Sequence, residues 1–276
     1  MDKRILTIQD ISCVGRCSLT VALPIISACG IETSVLPSAV LSTHTGGFTG
    51  YTFRDLSDDM PAIKNHWVKE DIKFDAIYTG YLGSVTQVDY VLDIMKDTLV
   101  EGGVRIVDPA MADNGKLYAG FDEDYVQAMK RLCTSADFIL PNITEACMFT
   151  GYEYRESYDE EYIKGLLAEL SKISTAKIVL TGVSYDKSTT GVVVYDGVEL
   201  KYYRHMRFEK SYHGTGDVYA SAFVGALVRG KCAYDAAKIA ADYTVECIKA
   251  TAEEENHWYG AKFEPVLPKL IAALNA

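Results

Sequence analysis

The sharpest chemical signal in the chain is Gly214-Thr215-Gly216-Asp217, which runs into the small, apolar stretch 218–228. A helix that is apolar nearly all round is buried. Its first turn carries backbone N–H groups with no intrahelical partner, and glycines leave them bare, so this helix start suits an anion. A phosphoryl group in transfer develops negative charge that such donors stabilise. Asp217, in the same turn, could accept a proton from an attacking hydroxyl. The structural alternative is an aspartate that complements the helix dipole after a plain glycine turn.

Other stretches could join it. Asn142-Ile143-Thr144-Glu145 has the spacing of a capping box, with Asn142 as cap and Glu145 three residues on. Glu145 could also face a pocket and hold hydrated Mg²⁺, which binds through one or two carboxylates and phosphate oxygens. Asp108-Pro109-Ala110-Met111-Ala112-Asp113 puts a carboxylate on a strand exit. Burying Asp108 is expensive unless it meets a partner or a cation, and a salt-bridged turn is the simpler alternative. Ser42-Thr43-His44-Thr45-Gly46-Gly47-Phe48 is a substrate loop or a glycine loop, and Thr79-Gly80-Tyr81-Leu82-Gly83-Ser84 offers a ring to an aromatic ligand. Walker, nucleophile-elbow and His-Glu-x-x-His patterns do not occur in the sequence.

The elements that must position these groups alternate. Strands are predicted at 5–8, 33–36, 76–78, 104–107, 138–140, 178–180, 191–195 and 199–203, the last two around an Asp196-Gly197 hairpin turn. Helices are predicted at 18–29, 54–69, 86–101, 122–135, 143–150, 158–173, 217–230, 233–252 and 262–275, with Pro24 kinking or delaying the first. Strands separated by helices imply βαβ units and a mostly parallel sheet. The apolar runs stop at Gln9-Asp10, Thr79-Gly80, Asp108-Pro109, Pro141-Asn142 and Thr181-Gly182. Ligands bind outside the carboxyl ends of such strands, so five polar or glycine-containing exits point to one pocket. No linker or repeat divides residues 1–276, so a single domain is expected.

Composition narrows the partners. A net charge of −11 argues against nucleic acid, while a few local donors suffice for a small phosphorylated ligand. No apolar run is long enough to cross a membrane, and the N-terminus lacks a signal-peptide pattern. Seven scattered cysteines, an odd number, fit reduced thiols in a cytoplasmic protein better than a disulfide framework. Cys13 and Cys17 have no second Cys/His pair at metal-ligand spacing and read as small hydrophobes.

Taken together the motifs resemble the ribokinase-like superfamily and, within it, the vitamin B6 (pyridoxal) kinases. The resemblance rests on Ile8-Gln9-Asp10-Ile11-Ser12 with Gly15, Leu41-Ser42-Thr43-His44-Thr45-Gly46, Gly80-Tyr81-Leu82-Gly83-Ser84, Asp108-Pro109, Asn142-x-x-Glu145 and Gly214-Thr215-Gly216-Asp217. The first two are similar to the branch found in Gram-positive bacteria. The resemblance implies a three-layer α/β/α fold and transfer of the ATP γ-phosphate to the 5′-hydroxyl of pyridoxal, pyridoxine or pyridoxamine. Asp217 would be the base, and Gly214, Thr215 and Gly216 would supply N–H donors. Asp108, Asn142 and Glu145 would organise Mg²⁺ and a monovalent cation such as K⁺, with Asp108 and Glu145 as the metal carboxylates. Asp113 and Thr181 would lie beside the ATP phosphates. Asp10, Ser12, Thr45, Gly46 and Tyr81 would line the pyridine pocket. The family also implies a homodimer.

Asp10 departs from the pattern, because many relatives carry Ser directly after Gln. A carboxylate in place of a hydroxyl changes the donor/acceptor balance, so substrate preference is less constrained than reaction type. Hydroxymethylpyrimidine kinases of thiamine synthesis share the fold, but a Gly-Ser-Asp-x-Ser-Gly-Gly-Ala-Gly run stands where this chain has Gln9 to Arg16. A non-catalytic sensor of nucleotide or pyridoxal phosphate would have no need of Asp217.

Overall fold

Runs rich in Val, Ile and Leu form the centre of a nine-stranded sheet in the computed structural model, which describes residues 3–210, 212–254 and 256–276. The strands are β1 (Arg4–Ser12), β2 (Glu32–Leu41), β3 (Phe53–Asp55), β4 (Phe74–Thr79), β5 (Leu99–Val107), β8 (Phe138–Ile139), β9 (Lys177–Val183), β10 (Thr189–Tyr195) and β11 (Leu200–Met206). β6 (Ala112–Asp113) and β7 (Lys116–Leu117) form a separate small hairpin. The sheet order is β11-β10-β9-β8-β5-β4-β1-β2-β3. From β9 to β2 every neighbouring pair is parallel, and antiparallel strands close both edges.

Helices cover both faces, as a largely parallel sheet requires. On one side lie α1 (Leu19–Ala28), α7 (Thr215–Val228), α8 (Ala233–Ala252) and α9 (Leu267–Asn275), packed with Ile5, Tyr78, Ile106 and Val179. On the other lie α3 (Val85–Thr98), α4 (Glu123–Thr134), α5 (Ile143–Thr150) and α6 (Glu160–Ile173), packed with Leu6, Ile8, Ile77 and Val107. Alternate residues of β1 enter opposite cores, as the two-residue strand period demands. The three-layer α/β/α architecture is the expected one. β1 sends the chain to β2 on one side and pairs with β4 on the other, which makes a crevice at their carboxyl ends.

The differences from expectation are local. Residues 53–55 form the edge strand β3 against β2, and α2 (Met60–Lys69) begins only after it. Pro61 in the first helical turn explains that late start, because proline lacks the N–H a helix interior needs. Residues 99–101 belong to β5 rather than the preceding helix. α1 runs from Leu19 through Pro24. β1 does not stop at Gln9-Asp10 but continues to Ser12, with a register shift between Gln9 and Ile11. The extra residue lies in β2, where Pro37 to Val40 spans three steps against two from Gln9 to Ile11, so the bulge stands opposite Asp10. Asp196-Gly197 does turn the chain between β10 and β11, with the Asp196 carboxylate accepting from Val198 N and Glu199 N.

α1 and α7 approach closely at Gly225, where a Cβ would overlap Cys29. In an open helix Gly→Ala gains about 1 kcal/mol. Here overpacking reverses the sign, and Gly225→Ala should lose about 1–3 kcal/mol. A thermal melt checks this: the melting temperature should fall, and a rise would show that the two helices are not in contact there.

Candidate active site

The start of α7 is shaped from two directions. Gly214 has φ 75, the left-handed region, and a Cβ there would overlap the carbonyl oxygen of Arg16. Only glycine meets both conditions. Gly216 differs: a Cβ there meets nothing within 4 Å. The protein's own packing therefore does not require that glycine, and the space beside its Cα is open. Val218 N bonds to Gly214 O at 2.9 Å, and Thr215 Oγ1 bonds back to Tyr212 O at 3.1 Å.

Asp217 is half-buried at this helix start, and its carboxyl is pushed up from 3.8 to about 7. Loss of water around the charge is the main cause, the charge of Asp10 adds to it, and the Ser18 N–H opposes it. Asp10 is 5% exposed and receives a 2.9 Å hydrogen bond from Ser12, itself 2% exposed. Burial raises its pKa too, against hydrogen bonds from Ser18 and Ser12 and the nearby His44. The same Asp10 charge acts on Tyr81, whose phenol is pushed up to about 12 mainly by burial. The exits of β1 and β4 thus meet the start of α7.

β5 delivers Asp108, whose N–H bonds to Thr79 O at 2.9 Å and whose carboxylate accepts from Ala110 N at 3.2 Å. Its pKa is raised well above the ordinary value, by burial first and then by Glu145 and Asp217. Glu145 is 2% exposed, and its carboxylate is used three times. Oε2 closes the capping box by accepting from Asn142 N at 2.9 Å. Oε1 accepts from Met111 N at 2.9 Å and Ala112 N at 3.4 Å. Burial still pushes it up to about 7, with those donors opposing. Asn142 Nδ2 bonds to Ala112 O at 2.7 Å and Thr144 Oγ1 accepts from Gly115 N at 3.0 Å, so the start of α5 fastens the β6–β7 hairpin over the site.

Among the described residues no three His, Cys, Asp or Glu side chains converge as a metal site. The donor set still suits Mg²⁺, a hard cation that keeps waters and takes one or two carboxylates. Asp108 has one carboxylate oxygen without a hydrogen bond among the described residues, whereas both oxygens of Glu145 hold backbone groups.

The remaining expected residues lie around this centre at varying remove. Asp113 is exposed and its carboxylate is engaged by Asn114 N and Nδ2 of its own turn, at 2.8 and 3.0 Å. Thr181 bridges to Asn142 and bonds through its N–H to Pro141 O at 3.0 Å. Thr45 is exposed on a loop whose Gly46 faces His213, 2.5 Å from where a Cβ would sit. Buried His44 holds that loop by accepting from Gly46 N at 3.0 Å on Nδ1, which leaves Nε2 to donate to Tyr259 O at 2.9 Å.

Several residues at the site escape sequence reasoning. Tyr118 follows the hairpin, and its phenol is held well above the ordinary range by burial and by Glu145, Asp113, Asp108 and Asp217. Cys17 sits within reach of the charges of Asp217 and Asp10, which with burial keep it a thiol. Asn114-Gly115, both with positive φ, forms the hairpin turn that carries the hairpin's N–H groups to Glu145. A groove of about 720 Å³ lies at the opposite, amino ends of the strands, lined by Val104, Arg105, Asp137 and Lys177, and contains none of these residues.

The chain is similar to known proteins along most of its length. The family profile described as Phosphomethylpyrimidine kinase matches residues 25–262. A candidate phosphomethylpyrimidine kinase from Bacteroides thetaiotaomicron, solved in an orthorhombic form with pyridoxal, is 35% identical with a TM-score of 0.91, covering 100% of this chain and 96% of that one. Pyridoxal kinase from Lactobacillus plantarum is 32% identical with a TM-score of 0.90, covering 98% and 97%. The pyridoxal kinase of Dictyostelium discoideum is 27% identical over 83% of this chain and 80% of its own length.

Two outcomes follow from the geometry. Gly214→Ala should lower kcat by about 100-fold or more, because it displaces N–H donors of the kind whose single loss costs that much. A near-parental kcat would show that these donors do not act in the reaction. The second outcome concerns pH. Asp217 holds its proton more tightly folded than unfolded, so its contribution to stability is full below about pH 4 and is lost as pH rises through about 7. The ligand-free protein should melt at lower temperature across that range, and Asp217→Asn should flatten the slope. An unchanged slope would place the Asp217 carboxyl in water.

Proposed function

The chain belongs to the phosphomethylpyrimidine kinase family, and within it we propose that it transfers the γ-phosphoryl group of ATP to the 5′-hydroxyl of pyridoxal, pyridoxine or pyridoxamine. The observation that carries this reading is the half-buried Asp217 carboxylate in the first turn of α7, on the same helix start as N–H groups without intrahelical partners, with open space beside Gly216. A primary alcohol is a weak nucleophile at neutral pH. Asp217, raised to about 7, is well matched to take its proton as the new O–P bond forms and the bond to ADP breaks. The N–H groups of the first turn stabilise the charge on the transferring group, and a common rigid support fixes donor and base in one geometry.

Mg²⁺, where bound, would neutralise the polyphosphate, with Asp108 as its carboxylate ligand and Glu145 holding the hairpin beside it. Ser12 and Asp10 would face the pyridine substituents, with Tyr81 against the ring and the Thr45-Gly46 loop as a wall. The Asp10 carboxylate accepts from Ser12 at 2.9 Å and can accept from a substrate group beside it. That supports a pocket for a phenolic hydroxyl or an amine. Pyridoxal in the related Bacteroides thetaiotaomicron structure supports the same acceptor class. The second reading, a hydroxymethylpyrimidine kinase, is favoured by the family's own description.

The test is steady-state phosphorylation of pyridoxal, pyridoxine, pyridoxamine and hydroxymethylpyrimidine under one set of conditions. At least one B6 vitamer should exceed hydroxymethylpyrimidine in kcat/KM by about tenfold, the size of one good polar contact. The reverse order would replace this reading with the second. Asp10→Ser should lower kcat/KM for pyridoxamine relative to pyridoxal by about 3–10-fold, as loss of a charge-assisted hydrogen bond does. An unmoved ratio would remove Asp10 from the acceptor pocket.

A further inference from the structure

The loop between β2 and β3 carries Thr45 and Gly46 and has little of its own to hold it. Residues 42–52 form no helix or strand, and Gly47 and Gly50 take positive φ, 85 and 68. A glycine-containing loop loses much freedom when it is ordered, so a fixed conformation needs partners from outside.

Those partners come from residues 257–261, which follow α8. The Tyr259 carbonyl accepts from Nε2 of buried His44 at 2.9 Å and from the Arg16 N–H at 3.4 Å, so both of its lone pairs are used. Ala261 N bonds to His213 O at 3.1 Å, directly before the turn into α7. Buried His257 meets the Arg16 guanidinium, and a Cβ at Gly260 would lie 2.9 Å from Arg16 N. The segment is therefore anchored to the loops after β1, after β2 and before α7 at one place.

Trp258 projects from this anchored segment onto the glycine loop. Its ring centre lies 4.6 Å from that of Phe48 at 46°, and a Cβ at Gly47 would lie 2.9 Å from its Cζ3. Phe48 in turn stands edge-on to the His44 ring at 5.0 Å. His44 thus holds the loop from inside and Trp258 covers it from outside. The Trp258 ring stays 45% exposed, and among the described residues neither core includes it. Its packing is spent on the loop rather than on the fold.

We propose that Trp258 is a positioning residue: it holds the 42–52 loop in the form in which Thr45 and Gly46 wall the acceptor pocket, and so sets affinity for the acceptor without acting on ATP or on phosphoryl transfer. The identity of the acceptor rests on the kinase reading above; the contact between Trp258 and the loop does not. A loop that is not held must be ordered by the substrate, and apparent affinity falls with the fraction of molecules in which it is already in place. An aromatic pair of this kind shifts such an equilibrium by about 3–10-fold. A contact made equally before and in the transition state changes KM and leaves kcat alone.

The experiment compares the full chain with Trp258→Ala, Trp258→Phe and Phe48→Leu. Steady-state kinetics with MgATP and pyridoxine give KM for each substrate, and amide hydrogen exchange of the ligand-free protein reads residues 42–52. Trp258→Ala should raise KM for pyridoxine by about 3–10-fold, leave kcat and KM for ATP near parental, and speed exchange of the loop by a similar factor. Trp258→Phe keeps an aromatic ring and should recover most of the loss. Phe48→Leu removes the same ring pair from the loop's side and should repeat the effect, which keeps the test decisive if Trp258→Ala does not fold. An unmoved KM for pyridoxine, or a KM for ATP that rises as much, would overturn the proposal while leaving the kinase reading intact. If the parent phosphorylates no B6 vitamer, the kinase reading fails and exchange decides: a loop that exchanges at the parental rate in both Trp258→Ala and Phe48→Leu would overturn the positioning role.

Discussion

Asp10, Asp108, Glu145 and Asp217 stand on separate segments at the carboxyl edge of the sheet, and that none of them is ion-paired with a lysine or arginine among the described residues sets the terms for the rest of the site. Burial raises the carboxyl of each, that of Asp217 and of Glu145 to about 7. A protein surface would normally answer such carboxylates with lysine or arginine. Here the positive side of the balance is left to the α7 N–H groups and to what the ligands bring. That is a poor arrangement for stability and a good one for moving a proton from an alcohol next to a polyphosphate.

The fold holds these carboxylates by spending backbone donors on them. Glu145 is not simply a pocket carboxylate: it joins Asn142 of its own cap to Met111 and Ala112 of the hairpin, and so joins the exits of β5 and β8. Gly214 lets the 212–214 turn lie against Arg16, and Arg16 is in turn tied to Glu264. The loops after β1, before α7 and near the C-terminus are thereby locked together. The bulge in β2 stands opposite Asp10, and β1 continues its pairing with β2 to Ser12. Each of these devices lies at the carboxyl edge of the sheet, where the parallel strands release their chains.

Much of this was legible where the chemistry is contiguous. Gly214-Thr215-Gly216-Asp217 and Asn142-x-x-Glu145 report their roles within a single turn, because capping and anion binding are local physics. The layer order was legible from alternating strands and helices. What could not be read is what distant segments do to one another. Nothing near Glu145 announces the hairpin N–H groups, and nothing near Gly46 announces His213. Asn114-Gly115 is a hairpin turn in any reading, but strands of two residues on each side leave no alternating pattern to expose it. The polar pair Gln9-Asp10 marks a strand end in sequence, but β2 continues to Leu41 and carries β1 on to Ser12. The three residues of edge strand β3 sit inside a helical pattern in sequence, and only their pairing with β2 and Pro61 at the start of α2 separate them from the helix.

The central claim is that Asp217 takes the proton of the acceptor hydroxyl, and the most direct measurement is the steady-state kinetics of Asp217→Asn with a thermal melt on the same preparation. Asn is nearly isosteric and tolerated at a helix start. The account requires kcat to fall by about 10²–10⁴-fold, the contribution of a positioned general base, with KM for ATP and acceptor little changed and the fold intact. A well-folded Asp217→Asn protein with near-parental kcat would contradict it and would leave Asp217 as a helix-terminus residue alone.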